Sequence, residues 1–300
     1  MGSTSSKTIE PTKVETVQEE PVFTVELNEN NNIDPGQIQY PDGMKKLVFK
    51  HILTTPPKNE ITFPDTVTDL ELQIYRGVEL VVLPKHLKKL QLNIDSSFET
   101  KINEIKFPET LTHLIFGHMF NEDIKQMNLP KGLTHLQFGL FFNQDVRNAN
   151  FPQGLTHLIF DGNFNRDIKD ANFPSTLTHL TLGRNFDQDI KDANLPQGLT
   201  HLNLESNIDI RNANFPGSLI ELNFATSLKF NRDIRNANLP QGLKRLFLGL
   251  VFNQDVRNAN FPTSLEVLFL GMNFDQDIKN ANFPKSLVVL TGGINVIHRK

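Results

Sequence analysis

The sequence predicts a mostly β solenoid of about twelve 22-residue repeats, with a parallel concave sheet and irregular convex return segments. First, prolines recur at a nearly constant spacing of 22 residues. Second, the segment L-x-x-L-x-F that follows each proline alternates apolar and polar residues, which is typical of a short strand. Third, only about sixteen residues, rich in Asn, Asp, Gly and Pro, return the chain to the next strand, fewer than a helical crossover needs.

Twelve prolines start the repeats and set the domain organisation. They are Pro41, Pro64, Pro84, Pro108, Pro130, Pro152, Pro174, Pro196, Pro216, Pro240, Pro262 and Pro284. We expect a disordered polar tail at 1–21, an N-terminal capping segment at 22–40, the solenoid at 41–296 and a C-terminal end at 297–300. The spacings of 20 and 24 after Pro196 and Pro216 mark one irregular pair of repeats.

Composition excludes several classes of protein. The chain has no Cys, so disulfide frameworks and cysteine metal sites are excluded. Its net charge of −4 lacks the basic excess of nucleic-acid binders, so no nucleic-acid partner is expected. No apolar run is long enough to cross a membrane, and no membrane partner is expected. The absence of Cys and of glycosylation acceptors predicts an intracellular location, in the host cytoplasm if the protein is viral.

The repeat motif carries a resemblance to a known family. L-x-x-L-x-[LF] once per 22 residues resembles a leucine-rich repeat. The continuation F-G-x-x-F-N, at residues 116–121 and 138–143, resembles the FNIP or FGxxFN subfamily known mostly from large viruses of protists and from amoebae. The resemblance implies a curved solenoid with parallel strands on its concave side. The chain departs from the family by placing Asp before the Ile or Val instead of Pro, as at Asp123, Asp145 and Asp167.

Most of the 24 Phe fall into columns that recur once per repeat. One column precedes an Ile or Val by four residues and is predicted to form a core spine, since each unit of a solenoid buries its apolar face against its neighbours. These residues are Phe98, Phe120, Phe142, Phe164, Phe186, Phe230, Phe252 and Phe274. A second column directly precedes the repeat proline, as at Phe151, and a third ends the strands, as at Phe138.

The polar columns also recur, which argues against catalysis, because an active site needs one unique convergence of groups. We expect no enzyme activity and no cofactor. The recurring D-[IV]-[KR] segment is predicted to form a solvated structural face of paired charges. The Asn that precedes the second Phe column, as at Asn150, is expected to hydrogen-bond nearby backbone.

A Thr-His pair occurs in five consecutive strands, with the His predicted to lie on the concave face. The imidazoles are His113, His135, His157, His179 and His201. Stacked about 4.8 Å apart, they are interpreted chiefly as a structural ladder, with partner contact and adventitious metal binding as alternatives. We also expect this surface to be pH-sensitive at about pH 6.

Towards the C-terminus the concave positions change, and this predicts a partner-binding surface. The further candidates are Arg245, Phe247, Val267, Phe269 and Val289. The four apolar members would form an exposed patch, of the kind that marks interaction sites. The last repeat lacks a polar closing segment, which predicts a homodimer through the solenoid ends or a swapped terminus.

The sequence therefore favours a non-enzymatic scaffold that binds an unidentified protein through the concave face and one rim. Two alternatives stay open: a purely structural or self-associating solenoid, and a metal- or polyanion-binding ladder surface.

Overall fold

The computed structural model describes residues 21–28, 35, 38–52, 55–94, 102–293 and 297–298. The predicted tail, apart from Pro21, and Phe98 lie outside these residues. The strands are β1 (Val22–Leu27), β2 (Lys46–His51), β3 (Ile61–Thr62), β4 (Asp69–Ile74), β5 (Val81–Val82), β6 (Lys89–Ile94), β7 (His113–Phe116), β8 (His135–Phe138), β9 (His157–Phe160), β10 (His179–Leu182), β11 (His201–Leu204), β12 (Glu221–Asn223), β13 (Arg245–Phe247), β14 (Val267–Phe269), β15 (Val289–Thr291) and β16 (Ile297–His298).

Among the described residues, fourteen strands form one sheet in sequence order, and the short strands β3 and β5 form a separate pair. All neighbours in the large sheet are parallel except β15 and β16. Equivalent residues of successive repeats pair directly, so that His135 faces His157 and Leu136 faces Leu158. The predicted parallel solenoid is confirmed, and each sequence column becomes a row of side chains across the sheet.

Tight turns replace helices in the return segments. Each repeat turns first at its proline, as where the Leu133 N–H donates to the Pro130 carbonyl at 3.1 Å. A second turn joins Gly139 to Phe142, and a third joins Val146 to Ala149. Within the described ranges the helical content is limited to single 3₁₀ turns, such as Val78–Leu80 and Ile102–Glu104.

The core is a continuous stack of apolar side chains between the sheet and the return segments. The described members of the Phe spine are at most 8% exposed. Successive rings, such as those of Phe142 and Phe164, lie 6.1 Å apart and nearly parallel. Within a repeat, Phe138 stacks on Phe142 at 4.1 Å, so the spine and the strand-ending column form one aromatic block. The column before the repeat prolines is less covered, since Phe151 is buried whereas Phe173 is only partly buried.

The irregular pair of repeats interrupts this spine. Ser206 stands four residues before Ile210, where other repeats carry Phe, and it is 2% exposed. Its Oγ has no hydrogen-bond partner in the described structure. Ser227, from the inserted turn, is fully buried and donates from Oγ to the Ser206 carbonyl at 3.2 Å. The same insertion leaves Leu228 69% exposed at the rim.

The two ends of the sheet differ. At the N-terminal end β1 pairs in parallel with β2 along all six of its residues. At the C-terminal end the chain reverses, and β16 pairs antiparallel with β15. The sequence predicts that another copy or a swapped terminus covers this edge, and it gives no indication of β16.

Candidate functional site

The concave face carries the side chains that alternate with the buried strand residues, because successive strand residues point to opposite faces. In β8, for example, Leu136 and Phe138 are buried while His135 and Gln137 are half-buried. The column that contains His135 changes from Lys46, Asp69 and Lys89 to five His, then to Glu221, Arg245, Val267 and Val289. A regular framework thus presents a surface whose chemistry varies along its length.

The five predicted imidazoles form an unbroken stack, which we call the His ladder (His113, His135, His157, His179, His201). Neighbouring ring centroids are 4.0–4.2 Å apart and the ring planes differ by only 7–12°. In each pair the Thr Oγ1 lies 2.9 Å from the Nδ1 of the following His. Nδ1 of each ring is therefore directed at the hydroxyl of the Thr that precedes it in the chain.

Burial in the stack opposes protonation of the ladder. It is the main cause that lowers the pKa of His135 and of His179 to about 4, and the adjacent imidazoles add to the effect. The pKa values of His113 and His157 are lowered for the same leading reason. At His113, Lys89 lowers the pKa further and Asp69 raises it. The pH dependence expected at about pH 6 thus moves to lower pH.

An ion pair closes the C-terminal end of the ladder. Arg245 donates from Nε to Oε2 of Glu221 at 2.7 Å and from Nη2 to Nε2 of His201 at 3.2 Å. The Glu221 side chain is 18% exposed, so this pair is better shielded than the other ion pairs of the solenoid. The candidate Arg245 is thus joined to the ladder.

The four apolar candidates also lie together, and we call them the apolar patch (Phe247, Val267, Phe269, Val289). Phe247 pairs with Phe269, and Val267 pairs with Val289, in adjacent strands. Val289 is 37% exposed and the other three are half-buried. The patch directly follows Arg245 along the concave face.

Asparagine side chains tie neighbouring repeats together in two ladders. In the predicted Asn column, Nδ2 of Asn150, Asn194 and Asn214 donates to a backbone carbonyl of the preceding repeat, at 2.8–3.4 Å. The second ladder uses the Asn that ends F-G-x-x-F-N. Oδ1 of Asn121 accepts the backbone N–H of Asn143 at 2.8 Å, and Oδ1 of Asn143 accepts that of Asn165 at 3.0 Å. The recurrence of this motif Asn therefore has a structural cause.

The same motif defines the match to a known family. The family model described as FNIP Repeat matches residues 98–141, 142–185, 186–227, 230–273 and 252–291. The chain belongs to the FNIP-repeat family.

Two solved structures resemble this FNIP-repeat protein. The CroV588 protein of the giant virus CroV, described as a novel circular LRR protein, is 33% identical over 87% of this chain, with a TM-score of 0.64. The match spans 41% of that protein's length. An internalin (inlF) from Listeria monocytogenes is 15% identical over 85% of this chain and 76% of its own, with a TM-score of 0.52, and shows the shared fold. No curated protein matches.

The Asp that departs from the FNIP motif has a structural role in this FNIP-repeat protein. In all eight repeats that carry it, Oδ1 accepts the backbone N–H two residues on, at 2.8–3.0 Å. Four of these Asp also pair with the Arg two residues on, as Asp233 does with Arg235, and Lys125 reaches Asp145 of the next repeat. Hydrogen bonds from Arg257 lower the pKa of Asp255 to about 2. The repetition of these bonds supports the interpretation of a structural face.

One exposed feature of the FNIP-repeat protein was missed by the sequence analysis. Met119 and Phe141 are 46% and 44% exposed at the rim that follows the strands. They occupy the same position in successive repeats, where the next two repeats have Asn163 and Asn185. The signal in the sequence is that two adjacent repeats carry apolar residues at a position where the next two repeats carry Asn.

Clusters of metal-ligating residues and membrane-spanning helices are both absent from the part of the chain that the structure describes. Those residues contain no group of three or more His, Asp or Glu placed to hold a metal ion. They also contain no helix of the length and apolarity required to traverse a bilayer.

Proposed function

We propose that this FNIP-repeat protein is a non-enzymatic scaffold that recognises a protein partner through its concave face and the adjacent rim. The observation that carries the proposal is the contrast between the two faces of the sheet. From β7 to β15 the buried strand residues are all Leu or Phe, whereas the outward columns pass along the sheet from charged residues through the His ladder to the apolar patch. A framework needed only for stability has no requirement for this variation.

Repetition of the polar groups supports the non-enzymatic part of the proposal. The Asp of the return segment, the motif Asn and the Thr of the strands each make the same hydrogen bond in successive repeats. Groups engaged in this way are building elements of the solenoid. A catalytic site instead needs one nucleophile, one base and one stabilising group that converge on a single atom.

The apolar patch supports the choice of a protein as partner. Interfaces between proteins are enriched in aromatic residues at their centre and have polar rims. Phe247 and Phe269 lie side by side on the face, and Arg245 with Glu221 borders them. Met119 and Phe141 form a second, separate pair of exposed apolar side chains at the rim of earlier repeats.

Site-specific photo-crosslinking tests the proposal. A photoreactive residue is placed at Gln137 or Thr181 on the concave face, and at Lys169 on the convex face as a matched control. In extracts of a host cell, crosslinks are expected from the concave positions and should weaken when Phe247 and Phe269 are changed to Ser. Crosslinks that are equal from both faces and unaffected by these changes would contradict the proposal.

Self-association through the ends of the sheet is a second candidate. Among the described residues β1 pairs on one side only, with β2, and Val22 on this strand is 58% exposed. Unpaired edge strands are templates for pairing with another chain. The similarity to a protein described as circular also favours a contact between ends. Light scattering that gives a monomer at every concentration would exclude a homodimer of this kind.

We place the activity inside a cell. The lack of Cys fits a reducing compartment, and the similar CroV588 protein comes from a giant virus.

A further inference from the structure

The hydroxyl of each Thr in the Thr-His pairs stands between two polar atoms. Thr156 Oγ1 lies 3.0 Å from the carbonyl oxygen of Thr134 and 2.9 Å from Nδ1 of His157. The same two contacts recur at Thr112, Thr134, Thr178 and Thr200. A hydroxyl has one proton, whereas a carbonyl oxygen can only accept. If the Thr hydroxyl donates its proton to the carbonyl, Oγ1 is free to accept a hydrogen bond from Nδ1–H. If the hydroxyl instead donates to Nδ1, Oγ1 and the carbonyl oxygen lie about 3 Å apart with no proton between them.

This arrangement favours the Nδ1–H tautomer of the ladder, in which the Thr hydroxyl donates to a carbonyl that also accepts two backbone N–H groups. A neutral imidazole that carries its proton on Nδ1 has an unprotonated Nε2, which is a hydrogen-bond acceptor. Since the rings are nearly parallel and about 4 Å apart, their Nε2 atoms form a row of acceptors across the strands. The lowered pKa values of His135 and His179 keep these rings neutral at neutral pH.

An independent contact at one end supports the assignment. Arg245 Nη2 can only donate, and it lies 3.2 Å from Nε2 of His201. Nε2 of His201 is therefore the acceptor, and its proton is on Nδ1, directed at Thr200. The same guanidinium is held in place by Glu221. The guanidinium of Arg245 therefore shows, within this chain, the kind of group that Nε2 of a ladder imidazole accepts from.

The row of acceptors discriminates among ligand classes. The charged oxygens of a polyanion are themselves acceptors, so they cannot pair with Nε2. A metal ion needs nitrogens that converge, whereas these lone pairs run side by side. The charged groups beside the ladder are Asp69 and Lys89 at the His113 end and Glu221 and Arg245 at the His201 end. Between these ends, a ligand that donates several N–H groups complements the ladder best.

We propose that Nε2 of His113, His135, His157 and His179 accepts hydrogen bonds from arginine guanidinium groups of a bound protein segment, as His201 accepts one from Arg245. The inference rests on the proposed function, because it identifies the chemistry of the partner at the concave face. It adds a specific requirement, which is the Nδ1–H tautomer imposed by the Thr column.

The tautomer is tested first, on the full chain without any partner. Long-range proton–nitrogen NMR correlation of the His side chains at pH 7 is expected to show Nδ1 protonated and Nε2 unprotonated in the ladder. Protonation on Nε2 would overturn the inference and leave the proposed function intact.

Binding is tested next, with a blocked tetra-arginine peptide as the probe and a tetra-lysine peptide of equal charge as the control. Changing Thr134, Thr156 and Thr178 together to Val removes the acceptor for Nδ1–H and retains the imidazoles. Affinity for the arginine peptide is expected to fall roughly tenfold, the effect of one lost charged hydrogen bond. The matched change to Ser keeps the hydroxyl and should stay within about twofold of the original chain.

Two results would overturn the proposal: equal affinity of the Val and Ser variants, or equal affinity of the original chain for both peptides. If the Val variant fails to fold, the change Arg245→Gln decides. It removes the guanidinium from Nε2 of His201 and should strengthen binding of the arginine peptide by about twofold more than binding of the lysine peptide. An equal gain for both peptides, which loss of the Arg245 charge beside Glu221 alone would produce, or unchanged binding would count against the proposal. If crosslinking finds a concave-face partner but no arginine peptide binds, the inference alone fails.

Discussion

The side-chain carbonyl of Asn143 accepts a hydrogen bond from the backbone N–H of Asn165, one repeat further on, at 3.0 Å. Both residues close an F-G-x-x-F-N or equivalent segment, so the motif Asn acts as a bracket between repeats. The side chain of one repeat thereby positions the backbone of the next.

Replacement of Asn143 by Leu is expected to destabilise the protein by about 1–3 kcal/mol, because the N–H of Asn165 is left without its acceptor. Replacement by Asp keeps an acceptor oxygen at the same place in the side chain and should cost less. Urea denaturation measures both. Equal losses for Leu and Asp would show that the hydrogen bond is not the cause.

The glycine of the motif permits a close approach of backbones. A Cβ on Gly139 would collide with the carbonyl group of Gly117 in the preceding repeat. We expect Gly139→Ala to destabilise the fold by about 1–3 kcal/mol through overpacking. Gly154→Ala is the control, since its Cβ would lie at ordinary contact distance, 3.5 Å from the Lys131 carbonyl. Thermal unfolding that is equally affected in both variants would contradict the steric account.

Two adjacent Phe separate core from surface. Phe142 is fully buried in the spine, whereas Phe141 is 44% exposed at the rim. Phe142→Ala should cost about 3–5 kcal/mol, as expected for a cavity in a packed core. Phe141→Ala should change the free energy of unfolding by only about 0.5 kcal/mol or less. A large loss at Phe141 would mean that the rim is packed against another part of the fold.

The His ladder predicts a loss of stability on mild acidification. Because the folded-state pKa values of His135 and His179 are lowered from 6.5 to about 4, the unfolded chain binds more protons in that range. Their contribution is fully present above pH 6.5 and declines as the pH falls towards 4. The melting temperature should therefore decrease between pH 7 and 4.5.

The control for this decrease replaces both His by Gln, which cannot be protonated. The decrease should be reduced by roughly half or more, because the two ladder His with the largest lowering of the pKa are removed. His51, His113 and His157, whose pKa values are also lowered, remain. An identical pH profile for the two proteins would assign the effect to other groups, such as the carboxylates that titrate at lower pH.

Features that recur once per repeat could be predicted from the sequence, because parallel in-register pairing places equivalent residues of successive repeats next to each other. The Phe spine and the row of His followed directly from this. The tautomer of His157 could not be predicted, since it depends on where the hydroxyl of Thr156 lies relative to a carbonyl of another repeat. The partner of Asn143 is likewise one full repeat away in the chain.

Departures from the period were harder to interpret. Alignment of the repeats shows that Ser206 takes the place of a Phe. The hydrogen bond from Ser227 Oγ to the Ser206 carbonyl could not be predicted from that alignment. The reversal into β16 depends on a pairing of two residues, His298 and Ile297, with β15. Such a short strand carries too little periodicity to indicate its direction.

The interruption at Ser206 has a consequence for cooperativity. On one side the Phe spine runs from Phe120 to Phe186, and on the other from Phe230 to Phe274. The motif Asn brackets fall into the same two runs, which end at Asp187 and resume from Asn207. In a linear array each unit is stabilised by its nearest neighbours, so a weak interface separates two folding blocks. Under force or in denaturant, each block would then unfold while the other remains folded, with the boundary at β11.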